Sequence, residues 1–564
     1  MPELRDTPDG GSAVSFDLTA CAWIPVLRGD GMQEELSLSE VFAQAGRLRR
    51  IVGDVPTQEF ALLRLLLALA HDAVDGPRDI DHWAELWADP DCFAVVGPYL
   101  AEHRDRFDLL DARAPFLQTA GLRTAKDEVF SLNRIVADVP NGEPFFTARM
   151  PTVERLGFAE AARWVVHAHA YDTSGIKSGV EGDGRAKDGK VYPLGVGWAG
   201  NLGGVLAEGA TLRETLLLNL VAGDTSGLHT GDGDRPAWRR EPCGPGGGER
   251  TPTGVRDLYT WQTRRVRLHF DDRGVHGVVL GYGDPLTPRN KHRYEPMTGW
   301  RRSEAQEKKH GQALVYMPRE HRAERAAWRG VAALIADRAE TPQGKDAPAA
   351  LRPGVLEWVA RLVTEGELER GLFIRARTIG AQYGPKQSVI DDIIDDHVDM
   401  AVVLLHQQDR VYAQQAIDAV ADADAAVGAL GSLAANLARA AGTNPDAARS
   451  AAWDRGYGLL EDPYRRWLAR LGTADDPYAE RAAWQRQVHR EISRCGDVLM
   501  SRAGDAAWQG RIITVKNGTE WLNSALAGKW FHSALHKSLG VPALPQTPDD
   551  GTAPSAHTTA EAHT

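Results

Sequence analysis

The sequence has 564 residues, 43% of them hydrophobic, and carries 65 Lys and Arg against 77 Asp and Glu, a formal charge of −12. That length exceeds one hydrophobic core, so at least two domains are expected, and the ordinary balance of apolar and charged residues excludes a collagen-like, fibrous or mostly disordered chain. The acidic total argues against a protein that coats nucleic acid through bulk charge, while four dispersed cysteines, Cys21, Cys92, Cys243 and Cys495, make a disulfide framework or zinc ribbon a poor fit.

In chain order, residues 1–13 are polar, rich in Pro and Gly, and read as a disordered N-terminus without the basic start and apolar stretch of a signal peptide. Residues 14–30 alternate around Trp23-Ile24-Pro25-Val26 and predict a short strand and turn. Residues 37–45 and 56–74 predict helices, the second with Phe60, Leu63, Leu66 and Leu67 on one face and Thr57 as its cap. The most apolar run, residues 61–70, is too short for a bilayer and contains Arg64, so a cytosolic chain with no membrane partner is expected. Residues 105–155 predict irregular surface structure, the glycine-rich stretch 175–209 a long loop, and residues 211–221 a helix.

Val266, Leu268 and Phe270 then alternate with Arg265, Arg267 and His269, the period of a half-buried strand; residues 275–282 are its partner across an Asp271-Asp272-Arg273-Gly274 turn. A basic loop, 287–311, follows. From about residue 320 the chain reads as almost wholly helical. Four amphipathic helices are expected between about 397 and 539, broken near 443–445, 473–477 and 504–518. Short links between long helices predict a four-helix bundle. Residues 545–564 lack periodicity and predict a disordered tail. The expected architecture is α+β: a mixed N-terminal domain over 14–396 with a small antiparallel hairpin or sheet, then the bundle over 397–544.

Candidate chemistry is sparse. Asp391-Asp392-Ile393-Ile394-Asp395-Asp396, placed on a helix, lines one edge with carboxylates that can hold Mg²⁺, as in diphosphate-processing enzymes. No second acidic string faces it, and an acidic first turn of a helix is the plainer explanation. His167-Ala168-His169 with Asp172 has the spacing of some metal hydrolases, but further ligands are missing and a pair of structural histidines fits better. Gly189-Lys190 precedes Val191 rather than Ser or Thr, so it is no phosphate-binding loop; residues 244–248 (GPGGG) read as a flexible linker. The loop 287–311 interleaves Arg289, Lys291, Arg293, Arg301, Arg302, Lys308 and Lys309 with Tyr294 and Trp300. From charge alone, a phosphate contact and a solvated basic face both remain open.

Several strings occur together: Trp23-Ile24-Pro25-Val26, residues 114–119 (APFLQT), residues 171–177 (YDTSGIK), Gly197-Trp198-Ala199-Gly200, residues 212–219 (LRETLLLN), Trp261-Gln262 and residues 383–390 (YGPKQSVI). In this order, ahead of a helical C-terminal region, they resemble the CasA family, the large subunit of the type I-E CRISPR surveillance complex Cascade. The resemblance spans nearly the whole chain apart from its tails. It implies recognition rather than catalysis: inspection of double-stranded DNA for a protospacer-adjacent motif (PAM) from the minor groove, and the start of strand separation. The partners it implies are target DNA, the 5′ handle of the guide RNA, the backbone, handle-capping and small subunits of Cascade, and a helicase–nuclease.

Carried onto this sequence, the family's glutamine wedge falls on Gln387, flanked by Lys386 and Ser388. Its glycine loop falls within 178–190, at Gly179, Gly182 and Gly184, with Arg185, Lys187 and Lys190 as phosphate contacts beside Arg301 and Arg302. The family's lysine finger has no direct counterpart at Tyr282, and Lys291 or Arg289 is the substitute. A guide-RNA handle contact is expected at Phe145, Phe146, Thr147 and Arg149, where an aromatic ring can stack on a base. Some members carry cysteine pairs suited to zinc; this sequence lacks them, so no metal and no cofactor are expected.

Overall fold

A computed structural model describes residues 3–6, 12–137, 153–229, 231, 233–335, 348–515 and 518–540. They form two compact units, one of residues 1–420 with 463–478, the other of residues 421–462 with 479–564. The candidate handle residues Phe145, Phe146, Thr147 and Arg149 and the expected tail 545–564 lie outside the described residues.

In the first unit the helix Pro56–Ala73 is buried on all sides from Thr57 to Asp72, as suits a helix apolar around its circumference. Its buried charges are paired. Arg64 grips Glu295 through two bonds of 2.8 Å, Glu59 meets Arg50 and Arg377, and Asp72 meets Arg239 and Arg256. Pro56 opens the helix after Val55, where a missing N–H costs nothing. Thr57 is therefore not the cap; it lies inside the helix, its hydroxyl 3.0 Å from His167.

Against this helix pack the helices Phe158–Tyr171 and Val255–Tyr259 and a three-stranded antiparallel sheet. In that sheet Phe373–Tyr383 lies between Ile390–Ala401 and Gly204–Glu208. The region after residue 320 is thus not wholly helical, and the expected domain break at 396–397 falls inside a strand. Alanine and arginine in 373–383 favour a helix by composition, but burial of Ile374, Ala376, Val398 and Met400 against the core favours pairing.

The hairpin Arg264–Asp271 with Gly274–Tyr282 forms where the alternation predicts it, though it is buried on both faces near its open end: Arg265 is 3% exposed and bonds Asp284 at 2.6 Å. Residues 244–248 are not a linker. Arg265 donates to the carbonyls of Gly244 and Gly246, and a Cβ on Gly247 would lie 1.9 Å from the Gly283 carbonyl oxygen; only glycine permits that approach. The stretch 175–209 contains the strands Lys177–Ser178, Lys190–Val191 and Gly204–Glu208. The basic loop contains the strand Trp300–Arg302 and the helix Glu304–His310. Residues 105–137 are irregular, yet Phe107, Phe116, Leu122 and Leu132 within them are buried rather than superficial. The N-terminus pairs Glu3–Asp6 with Ser12–Ser15 where disorder was expected.

The helices Val411–Ala441, Pro445–Leu471, Pro477–Ser501 and Ser524–Leu539 end close to the predicted breaks. Within the second unit Asp422 bonds Arg481 at 2.9 Å and Gln485 at 3.1 Å, joining the first and third helices. Gly456 sits against Val427, and Gly496 against Phe531. An exposed hairpin, Arg511–Val515 with Gly518–Leu522, precedes the last helix. No helix among the described residues is long and apolar enough to cross a membrane.

Candidate nucleic-acid interface

The hairpin Phe373–Tyr383/Ile390–Ala401 closes through residues 384–389, the turn that carries the candidate wedge. Lys386 and Gln387 adopt left-handed backbones, φ 58° and 56°. For two successive residues with a Cβ, such backbones cost on the order of 1 kcal/mol or more each, so the surroundings must hold them. They do so through main-chain bonds. Gln387 N–H donates to the Gly384 carbonyl at 2.9 Å, Gly384 N–H to Val389 at 3.1 Å, and Ser174 N–H to the Gln387 carbonyl at 2.7 Å. Ser388 Oγ closes the turn on the Pro385 carbonyl at 3.0 Å.

Below the turn the anchoring is buried. Tyr383 OH donates to the Tyr171 carbonyl at 2.7 Å, and a Cβ on Gly200 would lie 2.2 Å from that hydroxyl. Asp172, at the end of helix Phe158–Tyr171, binds Lys177 at 2.7 Å and also Arg264. Arg264 spends its other protons on the carbonyls of Asp172, Thr173 and Gly195. Burial would raise the Asp172 carboxyl, but Lys177 and Arg264 beside it hold it below the usual carboxylate range. This pinned segment, 172–177, presents the Ser174 amide to the turn. The Gln387 amide makes no hydrogen bond among the described residues, and Lys386 is exposed without an ion pair among them. An unclaimed amide and an unclaimed ammonium on a rigid turn are free to meet a ligand that both donates and accepts.

The candidate glycine loop lies next along the chain, its ends joined where Lys177–Ser178 pairs with Lys190–Val191. Its glycines differ in role. Gly179 is buried, a Cβ there meeting Ala186 at 2.9 Å, so it serves packing within the loop. Gly182 has φ +84° and lies against Pro245, whereas Gly184 is exposed over open space. Arg185 is committed to the protein: it binds Asp183 at 2.8 Å and the carbonyls of Tyr282 and Gly283. Lys187 and Lys190 are exposed and remain available as phosphate contacts.

Lys291 is half-buried, its ammonium 5.8 Å from the Tyr294 ring, and burial, then Arg289, pull its pKa down. Neither is linked to the turn by a hydrogen bond or ion pair among the described residues. Arg302 is occupied by Glu307 at 2.7 Å, whereas Arg301 is exposed.

The aspartate string is not on a helix. In a strand its side chains alternate between faces; Asp395 binds Arg377, and Asp396 binds Arg465 and the Ala327 amide. His167 and His169 are both buried, on Thr57 and on the Leu117 carbonyl. No group of three or more His, Cys, Asp or Glu residues able to hold a metal ion exists among the described residues.

Sequence reasoning missed the anchors Tyr171, Asp172, Ser174, Tyr383 and Arg264. The strings that hold the first four were legible, but that they meet one another and Arg264 depends on long-range packing. It also missed Arg319, Arg322 and Arg325, whose three-residue spacing is masked by interleaved Glu320 and Glu324.

The family model for CRISPR-associated protein Cse1 matches residues 17–495. The crystal structure of Thermobifida fusca Cse1 is similar at 56% identity and TM-score 0.86, covering 93% of this chain and 98% of that one. The curated CRISPR-associated protein CasA/Cse1 of Thermus thermophilus is 32% identical over 339 residues, 58% of this chain and 61% of that relative's length. A chain in a structure described as a CRISPR RNA-guided surveillance complex shares the fold at 17% identity and TM-score 0.67, over 92% of this chain and 99% of that one.

Proposed function

The chain belongs to the CRISPR-associated protein Cse1 family, and from that premise we propose that it is the large, non-catalytic subunit of a type I-E Cascade complex, recognising a PAM in double-stranded DNA from the minor groove and opening the duplex beside it. The observation that carries this reading is the turn 384–389, whose main chain is held fast while the side chains of Lys386 and Gln387 are left free. In the minor groove base pairs present mainly acceptors plus the guanine amino donor, and the Gln387 amide matches both. Inserted at the duplex end, it takes the space of a displaced pair; unstacking costs a few kcal/mol per step, offset by new contacts. Lys386, Lys187 and Lys190 hold phosphates around it, and the backbone at Gly184 approaches the groove floor. Arg185 supports the loop from within rather than touching phosphate.

In this reading base pairing with the guide RNA supplies the rest of the sequence specificity. The C-terminal helices act as a four-helix bundle that contacts the small subunits and helps recruit the helicase–nuclease. Phe145, Phe146, Thr147 and Arg149 contact the RNA handle, and Lys291 or Arg289 reaches the DNA as the lysine finger.

The test is R-loop formation by the reconstituted guide-RNA complex carrying Gln387→Ala. The variant should lose at least tenfold in rate on linear duplex and less on negatively supercoiled DNA, where torsion supplies part of the opening energy. Wild-type rates on both templates would remove the wedge.

A further inference from the structure

A cleft of about 520 Å³ lies on the sheet of the first unit, floored by Val205, Thr378 and Ile394 and walled by residues 319–334. Four arginines line it: Arg301, Arg319, Arg322 and Arg325. Arg319 is half-buried and the other three are exposed; Glu320 and Asp396 also line the cleft, yet among the described residues neither carboxylate forms an ion pair with any of the four, although crowded cations normally find such partners. Asp396, in the same cleft, is already spent on Arg465 at 2.8 Å and on the Ala327 amide at 2.6 Å. Among the described residues Arg325 donates only to the Arg329 carbonyl, at 2.8 Å. Arg301, Arg319 and Arg322 have no ion pair among the described residues. Arg319 is half-buried, and burial together with nearby Arg325 pulls its pKa below the ordinary value, the sign of a cation lacking its counter-charge. Its main chain is nonetheless fixed: Arg319 N–H bonds the Gly299 carbonyl at 2.8 Å, and its carbonyl oxygen presses so close to Gly203 that a Cβ there would lie 2.1 Å away.

We propose that this cleft binds a nucleoside phosphate, the phosphates on the arginines and the base against the apolar wall of Leu334 and Pro353. Four guanidinium groups, each a planar fork suited to phosphate oxygens, exceed what one inorganic phosphate needs. The volume falls in the range of small-molecule sites and is far too small for a duplex. The same chemistry is offered by a free nucleotide and by one or two residues of a single strand. The site is independent of the turn at Gln387.

The test uses the full chain, titrated with adenosine diphosphate and, separately, with a labelled octathymidylate, at low and at 150 mM salt. Wild type should bind at least one probe. Arg319→Gln combined with Arg325→Gln should weaken that binding at least tenfold without lowering Tm, since it removes unpaired like charges. Gly330→Trp should also abolish it, because a side chain added at Gly330 meets open space at the cleft and leaves every charge in place. Binding of the nucleotide identifies a free-nucleotide site, and binding of the oligonucleotide alone identifies a strand site. No binding of either probe by wild type, or undiminished binding by both cleft variants, overturns the proposal.

Discussion

At Gln387 the strain and the proposed function reside in different parts of one residue. The positive φ is a property of the main chain, and any residue with a Cβ meets much the same cost there. Glycine does not. Gln387→Gly is therefore expected to leave Tm unchanged or to raise stability by up to about 1 kcal/mol, while losing R-loop formation on linear DNA as fully as Gln387→Ala does. Thermal melts paired with R-loop assays check this; a glycine variant that melts lower shows that the amide side chain, and not the main chain, holds the turn together. Gly247 illustrates a related limit on reading single residues. Its glycine-rich neighbourhood looks like a linker, yet the Gly283 carbonyl leaves no room for a Cβ. Composition conveyed the absence of side chains but not the backbone that requires it.

At the scale of elements, the segment 172–177 is the seat on which the hairpin rests. Asp172 and Lys177 are each 7% exposed at the side chain and Arg264 only 2%. Replacing Asp172 by Ala leaves two buried cations without their anion, a change that typically costs about 3–5 kcal/mol. Denaturant unfolding should show that loss, and proteolysis should reveal earlier opening at the hairpin turn; a stability loss below about 1 kcal/mol would mean the seat is not held by this carboxylate. Which elements were legible follows from the range of their interactions. The hairpin Arg264–Asp271/Gly274–Tyr282 and the capped helix Leu212–Asn219 are specified by local alternation and by Thr211, and both form where the sequence predicts them. The strands Phe373–Tyr383 and Ile390–Ala401 were read as helical because their alanines, arginines and aspartates favour helices locally. Pairing with each other and with Gly204–Glu208, some 170 residues earlier, decides the matter. The turn 384–389 was recognised through its string of residues, whereas its anchor at Ser174 became visible only in the folded chain.

For the molecule as a whole, pH acts on its buried histidines. Burial foremost lowers His71 and His167 to about 3 and His169 to about 4. Unfolded, each titrates near 6.5. Between that value and 3–4 the unfolded chain binds more protons than the folded one, so stability is complete above about pH 6.5 and falls as the solution is acidified. Each histidine contributes up to about 1.4 kcal/mol per pH unit. Asp172, whose carboxyl is depressed, adds to this only at lower pH. Tm should drop steadily from pH 6.5 to pH 4.5, and His167→Gln should make that drop shallower. A Tm constant over this interval would mean that these imidazoles take up protons without opening the fold.

Since the Ser174 amide clasps only the Gln387 carbonyl, the piece that would probe the target resembles a tool bit in a fixed chuck. Exchanging the side chains of Lys386 and Gln387 leaves these main-chain bonds untouched, so under the proposed reading a designer can retune preference there while the remaining scaffold is kept unaltered.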